Sequence, residues 1–472
     1  MKPINLYNSL TRLREVFTPI QTGKVGMYSC GPTVYNYPHI GNYRAYLCDD
    51  LIARVFQYNG YSVTHVMNIT DVDDKTIRSS REHHQTLADY TAPYTAAFLQ
   101  DLADLHISTI TYHPKATAHI TEMINHISAL LDSDVAYQAS DGSIYFSISK
   151  FNEYGKLAHL ETARLQADAS GRVRNDEYSK DNVQDFALWK SWTADDGDVW
   201  WDSPFGKGRP GWHIECSAMS MKYLGEQLDI HAGGVDLLFP HHENEIAQSE
   251  AFTHKKFVTY WLHNEWLLVD GKKMAKSSGN FYTLRDILDK GYDALAYKFF
   301  CLSTHYRQAL NFTFEALDAA QRGYAHLRRD VSRIAEHAAY PASVALSREL
   351  SDTMAHFRES FHLSINDDFN SPKALAEMFE FCAFINQNER HFSPADFHTC
   401  LETLLHFDQA LGLDLATCAH HDVPTEIREL VARREQARTE KEWRTADELR
   451  RQIESLGYSL EDTDRGTRII KV

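Results

Sequence analysis

The most constraining stretch of this chain lies between Lys24 and Ile69. Val25 to Cys30 reads as a short buried strand, ended by Gly31-Pro32. After His39-Ile40-Gly41-Asn42, the apolar residues Ala45, Leu47, Leu51, Ile52, Val55 and Phe56 follow a helical repeat closed by Asn59-Gly60. Tyr61 to Ile69 reads as a second strand running into the acidic turn Thr70-Asp71-Val72-Asp73-Asp74. Strand, glycine-containing turn, helix, strand is how a doubly wound α/β sheet begins, so a nucleotide-binding α/β fold is expected.

The remaining text fills 472 residues, enough for about three domains. Residues 1–114 are expected to form the first half of the α/β domain. Residues 115–200 read as an insertion, with helical periodicity over 85–133 and a hairpin-like stretch at Gly142 to Ser147. Residues 201–292 return to βα text at Leu228 to His231 and Thr259 to Val269. Residues 293–420 read as an antiparallel helical bundle, in which Ser371-Pro372 and Ser393-Pro394 each set a capping serine before a proline. Residues 421–472 form a small tail domain, where Trp443, Ala446, Leu449, Ile453 and Leu456 step by three or four before Gly457.

Charge and composition exclude several classes. A net charge of −17 argues against nonspecific adhesion to nucleic acid, although local patches decide specific RNA binding. The tail, with 11 basic and 12 acidic side chains, does not share that acidity, and it is dense in Arg433, Arg434, Arg438, Arg444, Arg450 and Arg451. No run of 18 apolar residues exists, and the first 17 residues lack a continuous apolar core, so neither a membrane span nor a secretory leader is expected. Seven widely spaced cysteines fit reduced thiols rather than a disulfide framework.

Three segments could carry chemistry. Gly206 to Gly211 matches the dinucleotide-binding glycine pattern letter for letter, but no strand precedes it and Pro210 removes an amide, so it reads as a loop. His39-Ile40-Gly41-Asn42 sits at the mouth of an α/β site, where helix amides face anions and an imidazole can donate to a phosphate oxygen. Alone, it reads as an ordinary turn. Gly271 to Asn280 holds Lys272, Lys273 and Lys276 between glycines and serines, the composition of a mobile basic loop. Histidine in front and lysines behind would clamp a triphosphate from two sides.

Those two segments resemble the HIGH and KMSKS signatures of class I aminoacyl-tRNA synthetases. The surrounding text is similar to the cysteinyl-tRNA synthetase family from about residue 5 to the end. Gly26 to Tyr35, Asn68 to Lys75, Pro210 to Ser217, Phe239 to Glu245 and Asp367 to Asn370 each resemble a block of that family. Three positions depart from its pattern: Asn42 ends the first signature, Ala275 stands third in the second, and Ala232 interrupts the usual triple glycine.

The resemblance implies a Rossmann-type catalytic domain with an insertion, a helical bundle holding tRNA and a tail reading the anticodon. It implies that His39, Gly41, Asn42, Lys273 and Lys276 serve ATP, with Lys276 neutralising the departing pyrophosphate. Gly31, Thr70 and Trp212 would line the amino-acid pocket. Read from spacing alone, His241 and Glu245 share one helical face, the text lacks H-E-x-x-H and C-x-x-C, and Cys30 and Cys216 read as buried thiols. The resemblance reverses that reading: Cys30, Cys216, His241 and Glu245 would hold one Zn²⁺ that separates the thiol of cysteine from the hydroxyl of serine. It also implies Mg²⁺ with ATP, L-cysteine and tRNA(Cys) as partners, a cytoplasmic location, a monomer and no membrane association. A related ligase joining cysteine to an aminocyclitol amine, and a catalytically dead RNA-binding relative, are the alternatives. The complete tail weighs against the first, and the retained lysines and metal-ligand residues weigh against the second.

Overall fold

The computed structural model describes residues 2–160, 185–274, 280–338, 348–419, 424–463 and 466–471. Five parallel strands make the central sheet: β1 (Lys24–Ser29), β2 (Ser62–Met67), β3 (Ile110–Tyr112), β4 (Leu228–Gly234) and β5 (Val258–Asn264). Their spatial order is β5-β4-β1-β2-β3, so the winding reverses between β1 and β4. That reversal opens a crevice beyond the carboxyl ends of the two strands, where open α/β sheets bind ligands. The central strands read as near-continuous apolar runs because both faces are covered; Met27, Tyr28, Val66, Met67 and Ile230 are buried.

Helix α1 (Ile40–Tyr58) follows β1 after the Gly31-Pro32 turn. Helices α2 (Asp74–Glu82) and α3 (Leu87–Asp104) follow β2, each with its own cap, Asp73 and Thr86. The helical text over 85–133 thus contains one strand, β3, too short for its periodicity to register.

The inserted sheet corrects two expectations. Its four antiparallel strands run Ala136–Gln138, Ile144–Phe146, Phe186–Ser191 and Gly208–Pro210. A boundary at residue 200 would divide two paired strands, and the glycine-rich segment read as a loop supplies the edge strand. Proline is tolerated there because an edge strand has a side that needs no amide. Gly208 is required by contact: a Cβ would lie 2.2 Å from the Lys190 carbonyl oxygen.

By internal contacts the chain divides into two compact units. One comprises Met1–Gln321, Glu359–Glu377 and Gln409–Leu413; the other comprises Arg322–Arg358, Met378–Asp408 and Asp414–Val472. The second unit thus holds the tail together with much of the bundle. Within the second unit, Phe381 packs on Phe357 and Phe407 at ring distances of 5.0 and 6.0 Å. Ser393 caps the helix Pro394–Leu411 by accepting from Asp396 N. Ser371 does not act as a cap acceptor: its helix begins at Ser371 itself, and the hydroxyl donates to Leu302 O.

In the tail, helices Thr425–Thr439 and Trp443–Ser455 and the hairpin Tyr458–Thr463/Gly466–Lys471 enclose Ile427, Leu430, Leu449, Ile453 and Tyr458. Trp443 and Leu456, read as part of the apolar repeat, are exposed instead.

In the first unit, Lys298 is buried and donates to Asp50 at 3.0 Å, while Arg54 donates to the same carboxylate at 2.6 Å. Burial pushes the Asp50 carboxyl up, but the two cations outweigh it and hold it at about 2. Removing one partner from a buried charge group costs roughly 3–5 kcal/mol. Lys298→Met is expected to lose about 3 kcal/mol, since Arg54 remains, read as a lowered urea midpoint. Because the folded-state value is depressed, the carboxylate's contribution is complete above about pH 4 and is lost as pH falls toward 2.

Candidate active site

A cavity of about 410 Å³ lies at the crevice and is lined by residues from both signature segments and from the blocks around Cys30, Thr70, Cys216 and His241. Cys30, Gly31, His39, Gly41, Asn42, Thr70, Trp212, Cys216, His241 and Lys273 all face it. Glu245 lies just behind His241. Lys276 and Ala275 fall outside the described residues.

The first signature is built as a reciprocal helix cap. His39 Nδ1 accepts from Asn42 N at 3.2 Å, and Asn42 Oδ1 accepts from His39 N at 3.0 Å. Because Nδ1 accepts, the proton of a neutral ring sits on Nε2, which is left as a donor. Burial holds the His39 imidazole below its usual range, so at neutral pH it acts as a neutral donor. Asn at position 42 thus completes the cap with its carbonyl and keeps its amide group for a ligand.

Gly31 answers a steric demand. A Cβ there would lie 1.7 Å from the Asn68 carbonyl oxygen. Its amide donates to Asn68 Oδ1 at 2.9 Å, Asn68 Nδ2 donates to Thr70 Oγ1 at 3.1 Å, and Thr70 Oγ1 donates to buried Glu215 Oε2 at 2.9 Å. The Thr70 hydroxyl is therefore oriented from below. Lys273 Nζ lies 3.9 Å from the centre of the Trp266 ring.

The floor of the cavity fits a metal ion. One ligand atom each from Cys30, Cys216, His241 and Glu245 lies within 4.8 Å of all the others. The two sulfurs are 3.8 Å apart. A disulfide would bring them to about 2.05 Å, whereas two thiolates bound tetrahedrally to one zinc at about 2.3 Å each stand about 3.8 Å apart. His241 Nε2 has no hydrogen-bond partner, yet it faces Glu245 Oε1 at 3.1 Å. Burial lowers the His241 pKa to about 3, so the ring is neutral. With its proton on Nδ1, toward His213 Nδ1 at 2.8 Å, Nε2 is a lone pair aimed at a carboxylate oxygen. A cation between them removes that conflict. Burial above all, with the charge of Glu245 adding to it, also pushes both thiols up, so a bound cation would favour their ionised form.

A second grouping, Cys30, His231, His242 and Glu245, shares two of these donors. His231 Nε2 is already paired with Glu245 Oε2 at 3.0 Å, and His242 Nδ1 pairs with His263 Nε2 at 2.9 Å. These histidines serve better as the layer that fixes the ligands. Sequence reading missed His213, His231, His242 and His263. For His231 and His242 the signal was the density of histidine around Gly233-Gly234 and Pro240, which gives no pairing; His213 and His263 stand apart from it in sequence.

Of the tail arginines, Arg434 is buried and donates to Thr467, whereas Arg444 and Arg450 remain exposed beside Glu448 and Glu454.

The doubly wound sheet and the capped helix behind β1 define the fold of a class I aminoacyl-tRNA synthetase. Solved structures agree on the fold. An Agrobacterium radiobacter K84 LeuRS, in a ternary complex with tRNA and LeuAMS, superposes with TM-score 0.62 at 11 % identity, covering 86 % of both chains. A Mycobacterium tuberculosis methionyl-tRNA synthetase with methionyl-adenylate gives 0.58 at 13 %, covering 87 % of this chain and 94 % of the other. Residues 16–322 match the class I (C) tRNA synthetase catalytic domain, 360–416 the DALR domain and 420–469 the cysteinyl-tRNA ligase anticodon binding domain. Cysteine–tRNA ligases of Chlamydia abortus and Brachyspira hyodysenteriae are 47 % and 48 % identical, each over 99 % of this chain and over 97 % and 99 % of their own lengths. The chain belongs to the cysteine–tRNA ligase family. No helix among the described residues is long and apolar enough to cross a membrane.

Proposed function

We propose that this chain activates L-cysteine with ATP to cysteinyl-adenylate and pyrophosphate, then transfers the cysteinyl group to tRNA(Cys) with release of AMP. The observation that carries this reading is the convergence of two thiols, an imidazole and a carboxylate on the floor of a cavity whose rim holds His39, Asn42 and Lys273.

The cysteine carboxylate attacks the α-phosphate in line, and pyrophosphate leaves; no covalent intermediate with the protein is needed. His39 Nε2 and the Asn42 amide group donate to phosphate oxygens at the amino end of α1, where the helix favours negative charge. Lys273 and Lys276 neutralise the charge that builds on the leaving pyrophosphate. Thr70, held by Asn68 and Glu215, and Trp212 orient the amino acid, with Gly31 leaving room for it. Cys30, Cys216, His241 and Glu245 would hold one Zn²⁺, which supplies a soft Lewis acid preferring sulfur to hydroxyl oxygen. Hydrophobic contacts separate such near-isosteres poorly, so this preference removes the need for a separate editing site. Magnesium accompanies ATP, and the reading includes a monomer at work in the cytoplasm.

The tail and bundle bind tRNA in this account. Deleting residues 421–472 is expected to leave cysteine-dependent ATP–pyrophosphate exchange intact and to cripple charging of tRNA(Cys). Equal charging by the full and shortened chains would refute the tail's role. An absence of exchange with cysteine in the full chain would refute the activation step itself.

A further inference from the structure

Beside the mouth of the cavity stands a group of aromatic rings that adenylation leaves unused. Tyr37, 49 % exposed, meets Tyr94 edge-on at 5.0 Å, and Tyr94 lies 5.3 Å from Tyr90. Buried Tyr90 donates its hydroxyl to the Tyr35 carbonyl at 2.9 Å, which anchors α3 to the segment carrying Tyr37. Tyr35 and Tyr37 line the cavity; Tyr94 does not, and it remains half-buried outside it.

Cations stand next to these rings. Lys75 Nζ lies 5.8 Å from the centre of the Tyr35 ring and also lines the cavity. Arg78, one turn further along α2 and on the same face, is exposed and makes no ion pair among the described residues. On a chain of net charge −17, two cations on one helical face beside solvent-facing rings form a local field of the opposite sign. Aromatic faces flanked by cations bind unpaired nucleobases and their phosphates with little dependence on sequence.

We propose that Tyr37 and Tyr94 form a stacking platform for the unpaired 3′-terminal nucleotides of the RNA acceptor, with Lys75 and Arg78 meeting their phosphates. The inference rests on the ligase reading above, and it deepens that reading by placing the path along which the acceptor end reaches the adenylate. The platform is continuous with the cavity at Tyr37, so a base stacked there adjoins the chamber in which transfer occurs.

The test uses the full-length chain. Tyr94→Ala is expected to raise KM for tRNA(Cys) in charging by roughly 5- to 100-fold, the range for losing one base–ring stack, with cysteine-dependent exchange unchanged. Tyr94→Phe keeps the ring and is expected to charge like the unaltered chain. In equilibrium binding, trimming the unpaired 3′ nucleotides from the tRNA should weaken the unaltered chain more than it weakens Tyr94→Ala, which keeps only Tyr37, Lys75 and Arg78 as contacts. An unchanged KM in Tyr94→Ala, or a fall in exchange that matches the fall in charging, overturns the platform. If the unaltered chain shows no exchange at all, the ligase reading falls, and the binding comparison still decides the platform because it needs no catalysis.

Discussion

Lys276→Ala is expected to slow ATP–pyrophosphate exchange by about 30- to 1000-fold, equivalent to roughly 2–4 kcal/mol of lost transition-state stabilisation. The lysine acts on charge that develops as pyrophosphate departs, so its loss should fall on kcat and leave KM for cysteine nearly unchanged. Lys273 is not expected to substitute fully, because its ammonium lies against the Trp266 ring. Ala275 lacks the hydroxyl that relatives of the signature place beside this lysine, which removes at most one hydrogen bond. Exchange kinetics unchanged in Lys276→Ala would remove the lysine from the mechanism.

The second large effect belongs to Cys216. Cys216→Ser is expected to strip zinc from the purified chain and to raise KM for cysteine by more than the roughly 10- to 100-fold that loss of an outer supporting group costs a metal site. ATP affinity should stay near its original value, since His39 and Asn42 owe their geometry to the helix cap and not to the thiols. A serine hydroxyl would leave one oxygen where the geometry asks for a thiolate, and His241 Nε2 and Glu245 Oε1 would again face each other with nothing between them. Full zinc occupancy and normal cysteine affinity in Cys216→Ser would contradict the assigned ligand set.

The first signature was legible because it is local: a histidine and an asparagine three residues apart can close a helix cap by themselves. Of the basic segment, Lys272 and Lys273 pair with Val269 and Leu268 as a short strand rather than a loop, and Ala275 to Gly279 lie outside the described residues. The first βα unit was legible for the same reason as the first signature: a short buried strand ends at a Gly-Pro turn, and a 3.6-residue apolar period follows it. The metal cluster was not. Cys30 and Cys216 are 186 residues apart in sequence and 3.8 Å apart in space, and only the resemblance paired them. The histidines behind them were hidden for a related reason, since a buried imidazole is recognisable only by the partner it meets.

Errors arose where tertiary context overrode local chemistry. Pro210 and its neighbouring glycines have loop composition, yet the edge of the inserted sheet accepts them. Arg434 looked like an RNA contact and is instead a buried strut of the tail domain. Trp443 fitted an apolar repeat but faces solvent.

The central claim is that this chain charges tRNA(Cys) with cysteine and selects it through the thiol. Aminoacylation of tRNA(Cys) by the purified full-length chain, with cysteine and serine supplied side by side, tests it most directly. The account predicts cysteinyl-tRNA formation that depends on ATP, with no detectable seryl-tRNA. Comparable charging with serine, or none with cysteine despite bound zinc, would contradict it.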